Sequence, residues 1–428
     1  MKKLRIPVYL QIFTGMSLGI LAGIVALHAG GESLVSHWIK PWGKVFIRLL
    51  QLVAVPLVFI SLVKGVAGLS DISRFSRIGL KTVVLYLSTT LFAILLGLTL
   101  VSTVKPGRFV DAAKTAALEE NYRRKVGEMV QLQQEKEGPL QFLDDIVPDN
   151  IFGALSDNRR MLQIIFFALL LGVATLGVGR EKAEPVMKLL HSLDEIVLKM
   201  IGYIIRLAPY GVMALMAGLV VDFSGDIGIF TALAAYAATV VAGLLLLLLG
   251  FYPLLVRLFI RLPVKKFLKE MYPVQLLAFT TSSSAATLPV TMDIAQNKLG
   301  VSEEVTSFVM PLGATINMDG TSCFQAISVV FIAQALGLNL GIEQLSVIVL
   351  MTAISSIGTP SIPSGSYVVM TMVLTAVGIP AEGMALILGV DRPLDMLRTS
   401  VNVTGDVTVA SIVDKKSRLP YRKRKVRH

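Results

Sequence analysis

The chain has 428 residues, of which 54% are hydrophobic and only 16% charged, and its mean hydropathy is +0.71. Soluble domains carry about 25% charged residues, so this much apolar mass does not fit an ordinary core and a bilayer must form part of the solvent. The net charge of +11 does not mark a nucleic-acid binder. The basic residues collect in short connections and in the tail Tyr421-Arg422-Lys423-Arg424-Lys425, as in cytoplasmic loops and a terminus facing anionic lipid. One cysteine, Cys323, excludes an internal disulfide framework, and His28, His37, His191 and His428 are too scattered for a metal cluster.

After the basic start Met1-Lys2-Lys3-Leu4-Arg5, the apolar run Val8–Leu27 exceeds the ~7–15 residues of a signal-peptide core and is expected to stay as a first helix. Spans of about 20 apolar residues are predicted near 8–28, 43–67, 79–104, 160–178, 194–220 and 228–260. From Lys105 to Asp149 both signs of charge mix (Glu119-Glu120, Arg123-Arg124-Lys125), which predicts a solvated loop with a short helix. Arg74, Arg77 and Lys81, then Arg180 and Lys182, then Arg257, Arg261, Lys265, Lys266 and Lys269 fall in alternate connections, whereas Asp222–Asp226 is acidic. That bias predicts an inner-membrane protein with both termini cytoplasmic.

Beyond residue 265 the pattern changes. An apolar stretch from Lys269 to Asn297 is interrupted by Thr280-Thr281-Ser282-Ser283-Ser284. Its arms of about 10–12 residues reach ~15–18 Å as helix, half the ~30 Å of hydrocarbon, so the segment is predicted to dip in and turn back. A second such stretch, Gln344–Val377, is broken between Ser355 and Ser366, through Gly358-Thr359-Pro360-Ser361 and Ser364-Gly365. Each precedes a long span with polar residues at mid-depth: 303–336 carries Gly313 through Thr321, and 382–414 carries Asp391 through Asn402. Two hairpin-plus-span units predict an inverted repeat with broken helices, and irregular backbone at that depth requires protein or a water-filled cavity around it.

In the last span, Asp391, Asp395, Arg398, Asn402 and Asp406 fall within about 80° of one another on a helical wheel. Insertion penalties of about 2.5–3.5 kcal/mol per mid-membrane charge send Asp319, Asp395, Arg398 and Asp406 inward. Asp395 and Arg398, three apart, neutralise each other, which leaves Asp319 and Asp406 unpaired and the core about two negative charges in excess. Bound cations would cancel it. A hard ion such as sodium takes oxygen ligands, and Asp319, Asp406, Asn317, Asn402 and the unwound carbonyls near Gly313 and Thr315 supply them.

The substrate follows from the remaining handles. Arg398 offers a planar fork for a carboxylate, Asp395 can hold an ammonium, and the helix beginning after Ser284 offers free N–H groups to a second carboxylate. Aspartate or glutamate fits; a plain C4-dicarboxylate would leave Asp395 without its partner. A channel would show a continuous polar stripe through several spans, and the sequence has one polar cluster. An enzyme using Ser282–Ser284 would lack a base, since the C-terminal half has no histidine before His428.

Through Ser282–Pro289, Asn317–Thr321 and Asp395–Asp406, the sequence resembles the glutamate/aspartate transporter family, the dicarboxylate/amino acid:cation symporters, over nearly the whole chain. The resemblance implies an all-α polytopic fold of eight transmembrane helices plus two re-entrant helical hairpins, assembled as a homotrimer in the lipid bilayer. It implies a scaffold (1–77 and 106–225), an elevator-type transport domain (78–105 and 226–415) and a basic cytoplasmic tail (416–428). By motif match, Arg398 would take the side-chain carboxylate and Asp395 the amino group. Ser283, Ser284, Thr321, Thr399, Asn402 and Ser366 of the second hairpin would complete the pocket.

Three sodium sites are implied: Gly313, Asn317, Asn402 and Asp406; Thr315, Ser356, Ile357 and Thr359; and Asn317 and Asp319 with Tyr86, Thr89 and Thr90. The sequence also departs from the family. Positions where members carry an additional arginine hold Ser282 and Met396, so only one guanidinium is expected at the site. The second hairpin's tip, often glycine-rich in members, has Pro360, Ser361, Ser364 and Ser366. Gln325 stands where potassium-exchanging members have a glutamate, which argues against potassium coupling; a proton-coupled carrier, or a carrier of C4-dicarboxylates, neutral amino acids or cystine, is the alternative within the family.

Overall fold

Long runs of apolar helix formers give the first three elements: α1 (Val8–Ala29), α2 (Lys40–Gly68, entered through Glu32–Leu34 and a π turn at Val35–Ile39) and α3 (Ser76–Val104). The computed structural model describes residues 8–68, 76–109, 147–157, 160–222, 227–359, 361 and 365–414, and every element among them is helical. The mixed-charge segment expected after Lys105, the basic tail, the acidic turn after Asp222, Arg74, Pro360 and Ser364 lie largely or wholly outside the described residues.

Helices α4 (Met161–Val178), α5 (Arg180–Arg206) and α6 (Ala208–Asp222) follow. Here the structure corrects the expected single span at 194–220. The chain bends by 51° between α5 and α6, with Leu207 capping one helix and opening the next. Pro209 explains the break, because it offers no N–H and its ring would clash with the carbonyl four residues back. Helix α5 is amphipathic, and Asp194 on it pairs with Lys64 of α2 at 2.5 Å.

Helix α6 lies against α1 along Gly15, Gly19 and Gly23. A Cβ on Gly15 or Gly19 would overlap the carbonyl oxygens of Pro209 or Met213, and one on Gly23 would stand 2.9 Å from that of Ala217. Small residues spaced by four let two backbones touch, which is how helices associate where lipid supplies no hydrophobic drive.

The second half starts with α7 (Ile227–Leu245), which continues through π turns at Leu246–Phe251 and Val256–Ile260. The first hairpin is α8 (Val264–Thr281) and α9 (Ser284–Asp293); the second is α12 (Ile342–Gly358) and α13 (Ser366–Ala376). Both first arms exceed the expected 10–12 residues. In α8 the first two turns carry Lys265, Lys266, Lys269 and Glu270, so the apolar part alone has the expected reach. Between the hairpins, the predicted span 303–336 is two helices, α10 (Glu303–Ile316) and α11 (Asp319–Ala335), separated by Asn317-Met318. The last predicted span also divides: a short turn at Ala381–Leu388 precedes α14 (Asp391–Val413). Asp391 and Asp395 therefore occupy the first two turns of α14.

Helices α11 and α14 are buried along almost their whole length. Around them pack α3, α7, α8 and α10, while α12 and α13 rest on α2. By length and composition, five described helical stretches can each cross a membrane, α10 and α11 counting as one, or six with α5 and α6 taken as one bent span. This is the architecture of a polytopic membrane protein.

Candidate functional site

Three groups of buried polar side chains sit where α10 breaks from α11, against α3 and α14. The first surrounds Arg398, which is fully buried. Its Nη2 donates to Asp395 Oδ1 at 3.0 Å and lies 2.9 Å from Asp391 Oδ1. Its guanidinium stacks 3.8 Å from the centre of the Phe324 ring, a cation–π contact. Nε and Nη1 are buried and find no partner among the described residues. A second guanidinium reaches the same carboxylate: Arg392 Nη1 donates to Asp395 Oδ2 at 3.0 Å. This overturns the expectation of a single guanidinium at the site. It also corrects the simple Asp395–Arg398 pair, since the first two turns of α14 bring four charges together.

The second group holds Asp406, whose Oδ1 accepts from Asn317 Nδ2 at 2.9 Å. Asn317 Oδ1 is buried and unpartnered. The close approach needs glycine at 313, where a Cβ would stand 2.5 Å from Asp406 Oδ1 and overlap the Tyr86 hydroxyl. Tyr86 itself donates to the Val309 carbonyl at 3.0 Å. Asn402 completes the neighbourhood: its Oδ1 accepts from Gly320 N at 2.8 Å, and its Nδ2 faces Thr321 Oγ1 at 3.4 Å.

The third group is Asp319 at the start of α11, where the helix dipole favours an acid. Thr90 Oγ1 donates to its Oδ1 at 2.6 Å and the Tyr252 hydroxyl to its Oδ2 at 2.9 Å. The Thr89 hydroxyl donates to the Tyr86 carbonyl at 3.1 Å. Among the described residues, no basic side chain forms an ion pair with Asp319 or Asp406.

The hairpin tips meet beside these groups. Ser282 takes the left-handed conformation (φ 50°) that ends α8. Ser283 then caps α9 by accepting from Ala286 N at 3.2 Å, and donates to the Ser361 carbonyl of the other hairpin at 2.6 Å. Ser361 Oγ donates in turn to the Ala314 carbonyl. Ser356 holds the broken backbone directly, donating to Ile316 O at 2.8 Å and accepting from Met318 N at 3.3 Å. Ser284 and Ser366 are buried at the starts of α9 and α13, and the Ser366 hydroxyl has no partner.

Of the residues named from sequence, Arg398, Asp395, Asn402, Thr321 and Thr399 gather on α11 and α14; Asp406, Asn317 and Gly313 form a second knot; and Asp319, Thr90 and Thr89 form a third. The set Thr315, Ser356, Ile357 and Thr359 is the least assembled. Thr315 is exposed and donates to its own helix at Leu312 O (2.9 Å), and Thr359 donates back to Ser355 O (2.7 Å). The Thr399 hydroxyl likewise donates to the Asp395 carbonyl at 2.9 Å. Sequence reasoning missed Tyr252, Arg392 and Phe324. The signals were a tyrosine before Pro253 inside an apolar run, and an arginine three residues before Asp395.

The profile of the sodium:dicarboxylate symporter family matches residues 8–416. The chain belongs to that family. It is similar to the proton/glutamate-aspartate symporter of Bacillus subtilis (36% identical over 405 residues, 92% of this chain and 93% of that one). A proton/sodium-glutamate symport protein of Bacillus subtilis is 31% identical over 417 residues, 97% of this chain and 94% of its own. Human excitatory amino acid transporter 3 is 33% identical over 451 residues, 96% and 86% respectively. The symporter's membership in a family of acidic amino acid carriers makes it a transporter and not an enzyme.

Proposed function

We propose that the symporter imports L-aspartate or L-glutamate together with sodium by an elevator movement. One observation carries the reading: Arg398 is buried with Nε and Nη1 unpartnered among the described residues, while no described basic side chain pairs with the buried Asp319 or Asp406. An unpaired buried donor costs about 1–3 kcal/mol, more when charged, and a carboxylate would satisfy it with charge-assisted hydrogen bonds. The acidic pair requires positive charge in the same way.

In this reading Arg398 binds the side-chain carboxylate and Asp395 the ammonium, with Ser283, Ser284, Thr321, Ser366, Thr399 and Asn402 around them. Sodium takes Asp406, Asn317, Asn402 and the Gly313 carbonyl, and separately Asp319, Asn317, Tyr86, Thr89 and Thr90. A third ion would use Thr315, Ser356, Ile357 and Thr359 after the second hairpin rearranges. Residues 78–105 and 226–415 move against a scaffold of 1–77 and 106–225. Eight spans and two hairpins form each protomer of an inner-membrane homotrimer with cytoplasmic termini.

The test is labelled L-aspartate uptake into proteoliposomes under an inward sodium gradient or a proton gradient alone. Uptake that requires sodium supports the reading. Uptake on protons alone, the ion named for the 36% identical Bacillus subtilis symporter, overturns the sodium sites and keeps the carrier. No aspartate uptake under either gradient overturns the substrate assignment.

A further inference from the structure

Both oxygens of Asp395 are engaged by guanidinium groups, Oδ1 by Arg398 and Oδ2 by Arg392, each at 3.0 Å. Arg392 is not there for the sake of its helix. It sits in the first turn of α14, where the dipole disfavours a cation, and it is 8% exposed with Nε buried and unpartnered. Burying a guanidinium is tolerable only with a matched partner, and the ion pair it makes in the structure is with Asp395. Asp391, Arg392, Asp395 and Arg398 together sum to zero charge.

Resting on the reading of Asp395 and Arg398 as the substrate site, we propose that Arg392 is a specificity-determining residue. It holds the Asp395 oxygen that a substrate ammonium would need. An amino dicarboxylate must displace Arg392 from Oδ2 and then lies beside its charge. A dicarboxylate without an amino group leaves the Arg392–Asp395 pair intact and uses the unpartnered Nε and Nη1 of Arg398. Arg392 thus supplies the partner that Asp395 would otherwise lack opposite a plain C4-dicarboxylate, and opens the site to both classes.

Competition between labelled L-aspartate and succinate in proteoliposomes tests this, using the full-length wild type, Arg392→Gln and Arg392→Lys. Succinate is expected to compete on the wild type with an inhibition constant within about tenfold of the aspartate KM. Truncating one partner of a desolvated charge pair changes affinity by tenfold or more. In Arg392→Gln the ratio of succinate inhibition constant to aspartate KM rises at least about tenfold, and Arg392→Lys restores it towards wild type. A purely structural role would move both constants together, and an unchanged ratio in Arg392→Gln overturns the proposal. So does a wild type on which succinate fails to compete at about a hundredfold excess over the aspartate KM, a result that stands even where Arg392→Gln does not fold. Were aspartate neither bound nor carried by the wild type, the substrate reading would fall by itself. Succinate-induced thermal stabilisation of the wild type, weakened at least about tenfold in apparent affinity by Arg392→Gln, would then still uphold the role of Arg392, and its absence would overturn it.

Discussion

The two ends of the polar core use their carboxylates in opposite ways. Around Asp391 and Asp395, two arginines accompany two aspartates, and the donors left over belong to Arg398 and Arg392. Around Asp319 and Asp406, the partners are hydroxyls and an amide, and the unpartnered atom is an acceptor, Asn317 Oδ1. One end is balanced in charge but keeps spare donors, and the other carries carboxylates that no described basic side chain pairs. Each is costly alone in a medium of low dielectric, and simultaneous occupation by oppositely charged ligands relieves both.

Substitutions should separate the two ends. The largest effect is expected from Arg398→Ala, which removes the donors and leaves Asp391 with no cation; breaking such a buried pair costs about 3–5 kcal/mol. Aspartate uptake should fall by at least about a hundredfold, and Arg398→Lys should not restore it, because an ammonium lacks the planar fork. Asp406→Asn comes next. It should raise the half-saturating sodium concentration at least about tenfold, since ligand charge sets cation affinity, with aspartate KM at saturating sodium little changed. Equal loss of aspartate and sodium affinity in both variants would dissolve the distinction between the ends. Gly19→Leu is the control far from both. Overpacking the α1–α6 contact should lower thermal stability by about 1–3 kcal/mol, leaving both affinities within about twofold, the scatter expected of an independent site.

Much of this core was legible in the sequence because lipid punishes polar residues severely. Asp319, Arg398 and Asp406 could face nowhere but inward, and the serine breaks marked the hairpin tips, which the structure joins through Ser283 and Ser361. Other features gave a weaker signal. Tyr252 is one aromatic within an apolar span, flanked by π turns, and only the fold brings its hydroxyl to Asp319. The bend at Leu207 was hidden because the last part of α5 and α6 together match the length of one span, 194–220, although Pro209 carried the cause.

By itself the sequence determined that the chain lives in a membrane, that its second half is built from broken helices, and which side chains must be shielded from lipid. These follow from composition and spacing, which act along the chain. Tertiary structure alone decided the pairings. It placed Arg392 on Asp395, Tyr252 on Asp319 and Asn317 on Asp406. A buried polar atom's partner is set by where distant helices cross, and periodicity shows which face turns inward without showing what it meets.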